Sequence, residues 1–154
     1  MARKSYNEKL NNSGDLPKVE TISDPKYQAR YNSQTMLIAA PLQYDAVEKR
    51  IPLGKVTTSA HIREHLAKRH GADVTCPLTA GIFINIVAGA SEERQGQDIT
   101  PYWRTLRAKG ELNEKYPGGI DSHKLLLEEE GHTIIQKGKR YFVKDYETNL
   151  YDLD

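Results

Sequence analysis

Up to Thr35 the apolar positions keep no steady period, and Asn, Ser, Lys, Asp and Pro dominate. That texture predicts an irregular N-terminal arm over residues 1–35, which Tyr6, Leu10, Leu16, Tyr27 and Tyr31 can pin to a body formed by residues 36–154. The run Met36-Leu37-Ile38-Ala39-Ala40 ends at Pro41, and Val47 and Ile51 mark the inner side of a short helix over 42–50. Thr57, Thr58 and Ser59 are N-cap candidates for a helix over 59–69 that carries Ile62 and Leu66 inward and stops at Gly71. A second helix starts at Thr75 with Pro77 in its first turn and runs to Arg94. The spacing of Leu78, Ile82, Phe83, Ile86, Val87 and Ala90 predicts its buried face, and Ala80, Gly81, Ala88 and Gly89 allow a close neighbour.

Beyond the turn at Pro117-Gly118-Gly119, residues 120–130 read as a helix with Leu125 to Leu127 turned inward. Two β-prone runs, 133–136 and 140–144, flank Lys137-Gly138-Lys139 and predict a hairpin with a basic tip. The chain is therefore expected to be mainly α with a small β-hairpin, of the winged-helix or helix-turn-helix type.

Composition narrows the chemistry. At 154 residues, 38% of them hydrophobic, the chain is long enough to bury a core unaided. One cysteine, Cys76, rules out an intrachain disulfide and a cysteine-rich zinc site. The polar start, Met1 to Leu10, is unlike a secretory signal, and the longest apolar stretch, 80–90, is too short to cross a bilayer. A cytoplasmic location is expected, nucleoid-associated if the protein holds DNA.

The net charge is only +1, so any case for nucleic acid rests on where the charges lie. Lys49, Arg50, Lys55, Arg63, Lys68 and Arg69 lie in or beside the expected helix-turn-helix, Arg104, Arg107 and Lys109 follow the aromatic pair Tyr102-Trp103, and Lys137, Lys139, Arg140 and Lys144 belong to the hairpin. Acidic residues gather elsewhere, at 92–93, 128–130 and in the tail. One positive face on a near-neutral protein would gain affinity for a duplex by releasing counterions from phosphates. Helix starts at Thr57 to Ser59 and at Thr75 add backbone N–H groups suited to phosphate, though simple capping explains them as well.

Three motifs in order suggest a family. Ile51-Pro52-Leu53-Gly54-Lys55-Val56-Thr57-Thr58 resembles the I-P-x-G-x-V-T-T lead into the helix-turn-helix of the alkylguanine-DNA alkyltransferases. Pro101-Tyr102-Trp103-Arg104 stands where that family has P-C-H-R. Pro117-Gly118-Gly119, Leu126-Leu127 and Glu130-Gly131 resemble its closing G-G…L-L…E-G segment. The resemblance spans 51–131 and implies a winged-helix module that grips double-stranded DNA and flips a damaged guanine into a pocket.

The departures shape the expected function. The family's acceptor cysteine is Tyr102 here and its histidine is Trp103. A phenol with a pKa of about 10 is a poor nucleophile at neutral pH, and indole offers no basic nitrogen. The resemblance is therefore to the alkyltransferase-like proteins, which lack the acceptor cysteine, bind alkylated DNA and pass it to other repair proteins. No catalytic residue, cofactor or metal is expected. The expected DNA contacts are Thr57, Thr58, Ser59, Thr75, Arg104, Lys137, Lys139 and Arg140, with Tyr102 and Trp103 walling a lesion pocket. The family's tyrosine after T-T is Ser59, and its stack-filling arginine would fall on Leu78 if Gly81 is the matching glycine.

Other readings stay open. One is a winged-helix regulator or architectural DNA binder without lesion preference; another is a protein-interaction module that kept the fold and lost DNA. A third is a methyltransferase using Cys76, placed in the first turn of a helix where the macrodipole favours a thiolate. His61 and His65 stand four residues apart, but Ile62-Arg63-Glu64 between them is not the H-E-x-x-H arrangement, and its basic neighbours repel a cation.

Overall fold

The computed structural model describes residues 4–31 and 34–154. Its elements are α1 (Tyr6–Asn11), β1 (Lys18–Thr21), α2 (Pro25–Tyr31), β2 (Thr35–Ile38), α3 (Pro41–Glu48), β3 (Thr57–Thr58), α4 (Ser59–His70), β4 (Val74–Thr75), α5 (Pro77–Glu93), β5 (Thr105–Leu106), α6 (Gly119–Glu129), β6 (Ile134–Lys137) and β7 (Arg140–Val143). The expectation of a mainly helical chain with little sheet holds. β1, β2 and β4 form one small sheet, β3 pairs in parallel with β5, and β6 and β7 make the antiparallel hairpin read from the sequence.

Local chemistry sets the two central helices. The Thr58 side chain accepts the His61 N–H and caps α4, which ends on Gly71 in the left-handed region at φ 66°. α5 begins at Pro77 rather than at Thr75: Cys76 holds the cap position and Pro77 the first helical one.

Three expectations are corrected. Residues 1–35 are not irregular: where described they hold α1, β1 and α2. Leu10 is buried, and α1 lies on the end of α5, with the Tyr6 and Asn7 N–H groups donating to the Glu93 carboxylate at 2.8 and 3.0 Å. The proposed role of Tyr31 falls outside the described side chains. On α5 the buried face is Ala80, Ile84, Val87, Ala88, Gly89 and Ala90, while Leu78 is 72% exposed and Ile82 49%. The small residues are what permit close approach: a Cβ at Gly89 would come within 2.5 Å of the Tyr6 ring. Bulky residues do not mark the inward face here, because the tightest packing selects for small ones. On α6, Leu127 is buried but Leu125 is exposed, so the inward face is narrower than expected.

The core has two parts. The larger gathers Leu10, Leu37, Tyr44, Ile62, Leu66, Ile84, Val87, Tyr102 and Tyr116 among others. The smaller, under the hairpin, consists of Val56, Leu106, Leu112, Leu127 and Val143. Trp103 packs against both. The C-terminal tail returns beside Val56, whose N–H donates to the Asn149 carbonyl at 2.9 Å.

Candidate nucleic-acid interface

α4 and α5 diverge from the β3–β5 pair and leave a cavity of about 380 Å³. Ser59 and Arg63 of α4 form one side, Pro77, Gly81, Ile84 and Asn85 of α5 another, and the strand and loop of 105–108 and 113–116 close it. A volume of this order suits a small molecule or a base. The walls are mixed: Ile84, Leu106 and Tyr116 supply apolar surface, and Arg63, Arg107 and Lys115 supply positive charge. None of these three cations makes an ion pair among the described residues. Arg107 and Glu114 also line an adjoining groove toward the hairpin, where Lys139 and Arg140 stand with Glu111 and Tyr141, so its charge is mixed.

The loop that closes the cavity is held by one histidine. The Asn113 N–H donates to His123 Nδ1 at 3.0 Å, which leaves Nε2–H to donate to the Trp103 carbonyl at 2.8 Å. Burial lowers the pKa of His123 to about 4, against the smaller opposing pull of that carbonyl, so the ring is neutral at pH 7. Tyr116 is fixed by its hydroxyl, which donates to the Thr105 carbonyl at 2.8 Å.

The expected contacts divide. Ser59 lines the cavity. Lys139 is exposed, and Lys137 is exposed with its ammonium 5.4 Å from the Phe142 ring centroid. Arg140 lies 3.9 Å from Glu111 and is otherwise open. Four assignments are corrected. Thr57, Thr58 and Thr75 are buried; Thr58 caps α4, and Thr75 donates from its hydroxyl to the Arg63 carbonyl at 2.7 Å, so none of the three reaches a phosphate. Arg104 is spent internally. Its guanidinium binds Glu130 with contacts of 2.8 to 3.1 Å and the Ile51 carbonyl at 2.7 Å.

The aromatic pair is corrected too. Tyr102 is a core residue at 1% exposure, its hydroxyl donating to Glu92 at 2.7 Å, and burial pushes its pKa up. Trp103 is half-buried and donates from its indole N–H to Glu130 at 2.8 Å. Neither lines the cavity. An aromatic side chain after Pro101 serves as a plug here because the two cores meet there. Cys76 is half-buried at the start of α5 and is not among the lining residues either.

Sequence reasoning overlooked Asn85, Asn113 and Lys115. Asn85 had a signal: it is the one polar residue in the run Gly81-Ile82-Phe83-Ile84-Asn85-Ile86-Val87-Ala88. A polar amide in an otherwise apolar helix segment invites the question of what it bonds.

No family model and no curated protein matches the chain. Among solved structures it is similar to S. pombe Atl1 in complex with damaged DNA containing O6-carboxymethylguanine, with 26% identity, a TM-score of 0.48, and coverage of 71% of this chain and 91% of that one. It is also similar to S. pombe ATL in complex with DNA, with 19% identity, a TM-score of 0.50, and coverage of 73% of this chain and 94% of that one. On the second likeness, this chain has the fold of S. pombe ATL.

Proposed function

We propose that this chain is a non-enzymatic DNA-binding protein of the alkyltransferase-like kind, which senses alkylated bases in duplex DNA. The observation that carries the reading is the cavity between α4, α5 and the 105–116 segment, where Arg63, Arg107 and Lys115, none of them in an ion pair among the described residues, outnumber the single carboxylate Glu114, and where no thiol is in the lining. Cations with no carboxylate partner are suited to exchange solvent ions for phosphates. The fold supports the reading, since S. pombe ATL, which shares it, was solved in complex with DNA.

In this reading α4 and α5 act as a helix-turn-helix and the β6–β7 hairpin as a basic wing, a winged-helix arrangement. A base turned out of the stack would enter the cavity between Ser59 and Tyr116, at the usual unstacking cost of a few kcal/mol. The absence of an acceptor sulfur from the lining favours retention of the lesion over its removal.

The test is binding to one duplex with and without O6-methylguanine, at two salt concentrations. Tighter, salt-sensitive binding to the alkylated duplex is expected. Salt-sensitive binding of equal strength to both would favour an architectural binder, a reading to which exposed Leu78 and Ile82 lend some support, because apolar side chains can wedge between base steps. No binding to either duplex would overturn both.

A further inference from the structure

Two asparagines at the cavity wall fix each other's orientation. The Asn113 Oδ1 accepts the backbone N–H of Lys115 at 2.9 Å, so the other end of that carboxamide must be the nitrogen. This Nδ2 donates to Asn85 Oδ1 at 3.1 Å. A backbone N–H can only donate, so the assignment propagates without ambiguity from Lys115 through Asn113 to Asn85. The Asn85 carbonyl is thereby occupied. Its Nδ2 has no hydrogen-bond partner among the described residues, and the residue lines the cavity in the middle of α5.

The pair is mechanically stiff. Asn113 is buried, and its backbone N–H is bound by the neutral ring of His123 at 3.0 Å. Asn85 cannot rotate its carbonyl into the cavity without setting two N–H groups against each other, which leaves a donor unsatisfied. An occupant that reaches Asn85 therefore meets amide N–H donors there, with the cations Arg63, Arg107 and Lys115 and the one carboxylate Glu114 elsewhere in the lining.

We propose that Asn85 selects the occupant of this cavity by presenting amide N–H donors to a purine whose edge offers an acceptor where guanine carries its N1–H. This inference rests on the DNA-binding function proposed above. Guanine has a proton on N1 beside the O6 carbonyl. Alkylation at O6 removes that proton, so N1 becomes an acceptor and no longer opposes the Asn85 donors. The same amide donates to N1 of the alkylated base and opposes the N1–H of the unmodified one, so discrimination follows from a mismatch as much as from a bond. Asn113 is a positioning residue: it acts only by setting which end of Asn85 faces the occupant.

The experiment measures the ratio of affinities for a duplex carrying O6-methylguanine and the same duplex carrying guanine, by fluorescence anisotropy with the full chain. Asn85→Leu keeps the approximate volume and removes the donors; its ratio is expected to fall about tenfold from that of the unsubstituted protein. Asn113→Asp leaves Asn85 untouched. Its carboxylate still accepts from the Lys115 N–H and turns the second oxygen toward Asn85, whose amide must then reverse and offer its carbonyl to the cavity. The ratio is expected to fall at least as far. Taking ratios removes the general effect of added charge or lost stability on duplex binding. A ratio preserved in both variants overturns the inference. An unsubstituted protein that binds both duplexes equally also overturns it but leaves DNA binding standing. One that binds neither overturns the proposed function itself.

Discussion

The Trp103 indole N–H donates to Glu130 Oε2 at 2.8 Å, and this bond ties the seam between the two cores to the end of α6. The same carboxylate takes the Arg104 guanidinium and the Gly54 N–H at 3.2 Å. Glu130 therefore holds the Pro52–Lys55 turn, the 102–104 segment and α6 together. Burial raises its pKa, but the Arg104, Trp103 and Gly54 donors outweigh that and leave it below the ordinary range. Glu130→Ala is expected to cost about 3 kcal/mol, because it strands a guanidinium whose side chain is 13% exposed. Urea unfolding checks this, and a loss under about 1 kcal/mol would mean the hub is dispensable.

Glu48 gives an opposite pH dependence. It is fully buried, neither carboxylate oxygen has a well-formed hydrogen bond among the described residues, and burial drives its pKa well above 4.5, with the nearby Thr105 hydroxyl opposing and the Asp45 charge assisting. The folded state then binds a proton more tightly than the unfolded chain. Stability is greatest below the unfolded value and falls as pH rises toward the raised one. Glu48→Gln is expected to remove that slope and to be more stabilising at pH 8 than at pH 5. Unfolding midpoints at the two pH values decide it, and a variant with the parent's slope would refute the assignment.

His123 acts at the acid end. Its folded pKa of about 4 lies below the ordinary 6.5. Its share of stability is full above pH 6.5 and is lost as pH falls toward 4, by up to about 3 kcal/mol. Protonation would also set Nδ1–H against the Asn113 N–H and loosen the cavity loop. A ring-proton NMR titration should place the His123 midpoint well below 6.5; a midpoint near 6.5 would contradict the burial argument.

Gly89→Ala tests the seat of α1. The new methyl would come within 2.5 Å of the Tyr6 ring, which must move away. Faster hydrogen exchange in residues 6–11 is expected, with a stability loss of about 1–3 kcal/mol. Combining it with Tyr6→Ala should recover part of that loss. Unchanged exchange in α1 would show that Tyr6 swings aside freely.

The rim cations have a signature of their own. If Arg63, Arg107 and Lys115 each meet a phosphate, replacing all three with alanine lowers the salt slope of DNA binding by about three units. The pair Lys137→Ala and Lys139→Ala lowers it by about two if the hairpin also touches the backbone. A slope unmoved by the first set removes the cavity rim from the interface; one unmoved by the second removes the hairpin.

Local pattern was enough for helices α3 to α6 and the hairpin, though not for α1 and α2. Thr58 and Gly71 bound α4, Pro77 opens α5, and Gly138 at φ 63° turns β6 into β7, all through chemistry confined to a few neighbouring residues. The motif order from Ile51 to Gly131 likewise pointed to the ATL fold that the structure shows. What the tertiary structure decided was which side chains remain available. Arg104 looks like a phosphate ligand until Glu130, 26 residues away, is seen to hold it. Tyr102 and Trp103 look like a pocket wall until the two cores close on them. Asn85 has no role until Asn113, 28 residues on, turns its amide. Spacing along a chain sets periodicity and caps because those interactions span one turn; whether a polar group is spent inside or left for a partner depends on contacts between residues far apart in sequence, and these exist only once the chain is packed.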